Sequence, residues 1–124
     1  MRIQESAENY LEAILVLKKE SGAVRSIDVA RHMNFTKPSV SRAMSLFREN
    51  GYITMDKEGL ITLTDKGMEV ATRIYERHKM LTHYFMFLGV DEETAREDAC
   101  KVEHDLSQQT YEALKRHAEK EQGK

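Results

Sequence analysis

The chain holds one cysteine, Cys100, one proline, Pro38, and no apolar run approaching the roughly 20 residues that a membrane-spanning helix requires. A lone cysteine cannot close an intrachain disulfide, so Cys100 is a buried thiol, a metal ligand or a redox-active group. Lack of a spanning segment removes the membrane as a partner. Glu5, Glu8 and Glu12 interrupt the N-terminal stretch, so it does not read as a secretory signal, and a cytoplasmic protein is expected. Internal repeats, low-complexity tracts, a glycine-rich loop of substrate size and a nucleophile-base arrangement are also missing. At 124 residues there is room for one compact domain, or a small domain with an oligomerisation arm, which argues against an enzyme. One further absence is local: Arg31 to Arg48 carries Arg31, Lys37, Arg42 and Arg48 without an Asp or Glu, whereas acids outnumber bases from Asp91 onward. The net charge is only −2, yet this segregation allows a cationic surface sufficient for phosphate contact.

What is present is periodic. Leu11, Ile14, Leu15 and Leu17 follow helical spacing from about Glu5 to Lys19, and Ser21-Gly22 ends that helix. Ser26 is the expected N-cap of a short helix from Ile27 to Met33, followed by a turn at Asn34-Phe35. In the next helix Thr36 or Lys37 precedes a first-turn Pro38. Val40, Ala43, Met44 and Phe47 form its inner stripe, and Gly51 is its stop. Two short helices joined by a tight turn make a helix-turn-helix. The pattern then alternates, with Tyr52-Ile53-Thr54-Met55 and Leu60-Ile61-Thr62-Leu63 flanking Asp56-Lys57-Glu58-Gly59, which predicts a β-hairpin wing. The expected fold class is therefore mainly α: an N-terminal winged helix-turn-helix with a small hairpin wing over residues 1–64, then a helical region over 65–124. The start and outer side of the third helix offer Thr36, Lys37, Pro38, Ser39, Ser41, Arg42 and Ser45. Small hydroxyls let a helix enter the major groove of double-stranded DNA, the cations suit phosphate or guanine, and Lys57 at the wing tip adds a backbone contact. A protein-binding winged helix would carry the same residues as a solvated face.

Beyond Thr64, the expected N-cap, a long amphipathic helix is expected from about Asp65 to Leu88, with Gly67 doing little harm near its start. A second follows from about Glu92 to Leu106 and a third from about Ser107 to His117, before a polar tail. Tyr84-Phe85-Met86-Phe87 offers more apolar surface than one face can bury against a small winged helix, which points to a homodimer seam. Within the second helix, Cys100, Glu103 and His104 stand at i, i+3 and i+4, which places thiolate, carboxylate and imidazole on one face. A soft sulfur, a hard oxygen and an intermediate nitrogen suit a first-row transition metal better than calcium or magnesium. The same spacing also describes an ordinary amphipathic helix with a buried cysteine and solvated charges. His32, His83 and His117 read as solvated or partly buried side chains.

Taken together, Ser6-Ala7-Glu8-Asn9-Tyr10-Leu11-Glu12-Ala13-Ile14, Leu63-Thr64-Asp65-Lys66-Gly67, Arg77-His78-Lys79-Met80-Leu81, Leu88-Gly89-Val90-Asp91-Glu92 and Cys100-Lys101-Val102-Glu103-His104-Asp105-Leu106-Ser107 resemble a family. It is the diphtheria-toxin-repressor family of metal-dependent transcriptional regulators, and especially its short manganese-transport-regulator branch, which lacks the SH3-like domain of larger members. The resemblance implies an ion bound where the first helix, the long fourth helix and the Cys100 helix meet. It assigns Glu12, His78, Glu103 and His104 as ligands, and Cys100 stands where iron-type members use Cys and manganese-type members use Glu. Asn9 occupies a position of Met or Asp and is a neutral, weaker donor. Thr82 and Arg96 replace ancillary-site residues of iron-type members, which leaves no intact second site of that type. The implied corepressor is iron(II) or manganese(II), with zinc(II), cobalt(II) and nickel(II) also compatible with a thiolate. The implied function is a homodimer that binds an operator and represses metal-uptake genes. The alternative is a metal-independent winged-helix regulator answering to a small molecule or to oxidation of Cys100.

Overall fold

The computed structural model of the chain describes residues 5–122. They form two compact units that divide between Arg73 and Ile74. The first contains α1 (Glu5–Ser21), α2 (Ser26–Met33), α3 (Lys37–Glu49), β1 (Ile53–Met55), β2 (Ile61–Leu63) and the opening turns of α4 (Asp65–Phe87). The second contains the rest of α4, then α5 (Glu92–Val102) and α6 (Gln108–Gln122).

Local chemistry explains the boundaries of the first unit. Helix α1 ends where the Ser21 hydroxyl donates to the Leu17 carbonyl at 3.1 Å and Gly22 turns left-handed at φ +81°. Helix α2 begins one residue before the expected start, with Arg25 rather than Ser26 as N-cap. The Arg25 N–H donates to the Asp28 carboxylate at 2.9 Å, so the acid of the first turn supplies the cap that Ser26 was expected to give. For α3 the expectation holds: Thr36 is the N-cap, its hydroxyl accepts from the Ser39 N–H at 3.3 Å, and proline sits in the first turn. Val40, Met44 and Phe47 are buried beside Leu11, Ile14 and Val29 in the core of this unit. Tyr10 lies edge-on to Phe47 and Phe35, with centroids 5.8 and 5.6 Å apart. Burial pushes the Tyr10 phenol up from its ordinary pKa, an effect that the Arg42 charge partly opposes.

The wing is an antiparallel hairpin with Ile53 opposite Leu63, Thr54 opposite Thr62 and Met55 opposite Ile61. Ile53 and Ile61 point into the core, while Thr54 and Thr62 are exposed, the alternation that period two requires. Asp56 shapes the turn by accepting from the N–H groups of Glu58 and Leu60 at 3.0 and 2.8 Å. Gly67 does more than avoid harm. A Cβ there would overlap the carbonyl oxygen of Tyr52, so only glycine admits the close approach of α4 to that backbone.

In the second unit Asp91 caps α5, accepting from the Thr94 N–H at 3.0 Å and from its hydroxyl at 2.9 Å. These bonds hold the Asp91 carboxyl below its ordinary pKa, with the Thr94 N–H as the largest cause. Helix α5 stops at Val102 instead of Leu106, and α6 continues past His117 to Gln122. Tyr111 and Ala118, two helical turns apart, are both buried, which gives the end of α6 an inward face where a fraying polar tail was expected. Among the described residues no helix is long and apolar enough to cross a membrane.

Candidate metal centre and nucleic-acid interface

On the first unit, the outer face of α3 presents Lys37, Pro38, Ser41, Arg42 and Ser45 as exposed residues, with Thr36 exposed at the N-cap and Ser39 half-buried. The Thr36 hydroxyl donates to the Ser39 hydroxyl at 2.8 Å, so these two polar groups are already ordered at the helix start. Lys57 is exposed at the wing tip. The turn around it is held from outside, since Arg25 Nε donates to the Glu58 carbonyl at 3.1 Å and the Ile61 N–H donates to the Val24 carbonyl at 2.8 Å. The unit thus offers a helix of small and cationic side chains, beside a wing whose orientation is fixed by two hydrogen bonds.

On the second unit, His78 projects from α4 and Glu103 from the C-terminal end of α5. His78 Nδ1 lies 2.9 Å from Glu103 Oε2, and His104 Nε2 lies 3.4 Å from Glu103 Oε1. The Glu103 and His104 side chains are 0% and 2% exposed and that of His78 is 29% exposed. Among the described residues, no hydrogen bond is made to Glu103 Oε1. A buried carboxylate is costly unless charge or donors compensate it, and here two imidazoles flank it. That donor set fits a divalent transition metal: a hard oxygen with two borderline nitrogens.

Helix α5 ends within the 100–104 run. Glu103 closes α5 as its C-cap, and His104 follows in a turn in which the Asp105 N–H donates to the Val102 carbonyl at 3.0 Å. Cys100 is exposed on the last turn of α5, in contrast to the wholly buried Glu103. Asn9 and Glu12 lie one turn apart on α1 and are both half-buried. Thr82 is buried and its hydroxyl makes no hydrogen bond among the described residues, whereas Arg96 is exposed and paired with Glu92 at 2.6 Å. Among the other histidines, His32 and His83 are exposed, and His117 meets the Tyr84 hydroxyl at 2.8 Å.

Arg77 was missed as a contributor. Read from its charged neighbours it belongs to a solvated stretch, yet it is only 6% exposed and bonds to the residues that follow α5. The signal lay in the period: Val70, Ile74, Arg77 and Leu81 are spaced four, three and four apart, all buried, and Arg77 is the one charge in that stripe.

Two family models match the chain: "Iron dependent repressor, N-terminal DNA binding domain" over residues 2–60, and "Iron dependent repressor, metal binding and dimerisation domain" over residues 64–121. An uncharacterized HTH-type transcriptional regulator of Methanocaldococcus jannaschii is 37% identical over 120 residues, which cover 95% of this chain and 96% of that one. The transcriptional regulator MntR of Salmonella typhimurium is 33% identical over 111 residues, covering 90% of this chain and 71% of that protein. Among solved structures, the manganese regulator SloR superposes with a TM-score of 0.78 at 24% identity, covering 94% of this chain. The chain spans only 54% of that structure's length, and at this identity the match speaks for the fold alone.

Proposed function

This chain belongs to the iron-dependent repressor family, the diphtheria-toxin-repressor family, within its manganese-regulator-like branch, and on that premise we propose that it is a metal-dependent DNA-binding repressor of metal-uptake genes. The family is one of DNA-binding regulators and not of enzymes. The observation that carries the metal half of the reading is Glu103: wholly buried, with an imidazole beside each carboxylate oxygen, His78 at 2.9 Å and His104 at 3.4 Å. His78, Glu103 and His104 would hold the ion, with Cys100, Glu12 and Asn9 as further ligands on the strength of the family resemblance. Iron(II) or manganese(II) is the proposed corepressor, and zinc(II), cobalt(II) or nickel(II) would also suit the nitrogen donors. When bound, the ion would supply positive charge beside the buried Glu103 carboxylate, with the His78 and His104 imidazoles as nitrogen donors.

The DNA half rests on α3 and the wing, with residues 1–64 as the DNA-binding region and 65–124 as the metal-binding and dimerising region. Thr36, Lys37, Pro38, Ser39, Ser41, Arg42 and Lys57 are the proposed contacts to a double-stranded operator. A homodimer would place two recognition helices on half-sites about one DNA turn apart, roughly 34 Å. Met86, Phe87 and Leu88, 41, 52 and 62% exposed at the end of α4, are apolar surface suited to the seam of such a dimer. A cytoplasmic site of action follows from the DNA partner.

Fluorescence-anisotropy titration of an operator fragment tests the reading. A coupling of ~1–3 kcal/mol, usual for allosteric pairs, would raise operator affinity about 5–150-fold on adding metal. Equal affinity in chelator and in excess iron(II), manganese(II) and zinc(II) would sink it.

A further inference from the structure

We propose that Arg77 is a positioning residue for the metal centre, a forked clamp that holds the α5–α6 connection so that Glu103 meets His78. This rests on the metal reading of that site. A guanidinium in the buried stripe of α4 calls for acceptors, and among the described residues both terminal nitrogens of Arg77 have them while Nε does not. Nη1 donates to the Glu103 carbonyl at 3.0 Å and to the Leu106 carbonyl at 2.8 Å, and Nη2 donates to the Gln108 side-chain oxygen at 3.0 Å. The guanidinium carbon sits 5.0 Å from the ring centre of Tyr111, which covers it.

The placement of these acceptors is what gives Arg77 a role beyond packing. Carbonyls at and just past a helix C-cap lack intrahelical partners, and Arg77 meets two of them, those of Glu103 and Leu106, from another helix. It grips residues 103 and 106, on either side of His104, and it is the immediate chain neighbour of His78. The guanidinium thus ties the backbone of Glu103 to the residue that precedes His78, whose Nδ1 lies 2.9 Å from Glu103 Oε2. A lysine keeps the charge but cannot span the same acceptors with a planar fork.

Outer-shell partners of metal ligands typically support affinity by about 10–100-fold. The test compares the full chain with Arg77→Lys and Arg77→Met, using calorimetric titration of manganese(II) and iron(II) into metal-free protein and amide exchange of the same samples. Expected are a tenfold or greater loss of affinity in Arg77→Lys and faster exchange confined to residues 103–107 in the metal-free state. A merely structural role would instead speed exchange throughout the second unit and weaken binding only in proportion to the unfolded fraction. Metal affinity in Arg77→Lys within twofold of the parent would overturn the proposal, and should Arg77→Met fail to fold, the lysine variant still decides. If the parent itself binds neither ion, the metal reading fails, and unaltered exchange at 103–107 in Arg77→Lys would then overturn the clamp as well.

Discussion

The two units of this molecule are built by different kinds of instruction. In the winged-helix unit several element boundaries rest on residues within a few positions of the element's own ends: Thr36 caps α3, Asp56 shapes the wing turn, and Asn34 takes the left-handed conformation at φ 58° after α2. In the helical unit the decisive element boundary, the end of α5, is met by Arg77 from a different helix, 26 residues earlier in the chain than Glu103. A recognition surface can thus be specified locally. A metal centre needs donors from separate elements, and their convergence depends on contacts that sequence neighbours do not make.

The sharpest way to press this contrast is at Glu103. Glu103→Gln should remove most of the metal-dependent gain in operator affinity, up to the full ~5–150-fold, while leaving the metal-free protein at least as stable because a buried carboxylate is gone. Anisotropy with and without metal, paired with urea unfolding, reads both. Asn9→Ala should cost far less, and a comparable loss there would show that the donor on α1 matters as much as the buried carboxylate. Next in size is Gly67→Ala, expected to destabilise the chain by ~1–3 kcal/mol because the new methyl meets backbone, not a side chain that can move aside. An unchanged urea midpoint would mean that α4 and the Tyr52 carbonyl can part without cost. The smallest effect concerns the Asp91 cap. Its carboxyl is depressed in the folded state, so its contribution is present above the unfolded carboxylate range, near pH 4, and is lost as pH falls through the folded value. Asp91→Asn keeps an acceptor without that titration, so the parent should lose slightly more stability than the variant below about pH 4. Parallel acid curves for the two would remove the local cap as a contributor.

Much of the fold was legible because its cues are short-range. Thr36-Lys37-Pro38 before an apolar stripe, alternating residues around Asp56-Lys57-Glu58-Gly59, and Thr64 before α4 each name an element boundary through one hydrogen bond or one backbone restriction. Errors fell where a side chain's partner lay elsewhere. Ser26 yielded the cap of α2 to Arg25 and Asp28. Gly67 looked tolerated, and only the position of the Tyr52 carbonyl reveals that it is required. Ala118 looked like tail until the inward face of α6 was seen to include it.

For the site, the residue types and the family resemblance named His78, Glu103 and His104, because few side chains donate to transition metals and their pattern is compact. Spacing alone could not tell that Cys100 would stay exposed while Glu103 became wholly buried one turn later. Nor could it tell that Arg77, flanked by other charges, would turn inward. Burial is a property of what packs against a residue, and a buried charge is stable only where distant acceptors arrive to meet it. Chain chemistry therefore set the helices, the wing and the candidate donors, whereas the meeting of His78 with Glu103, and the guanidinium that secures it, exist only once α4, α5 and α6 have come together.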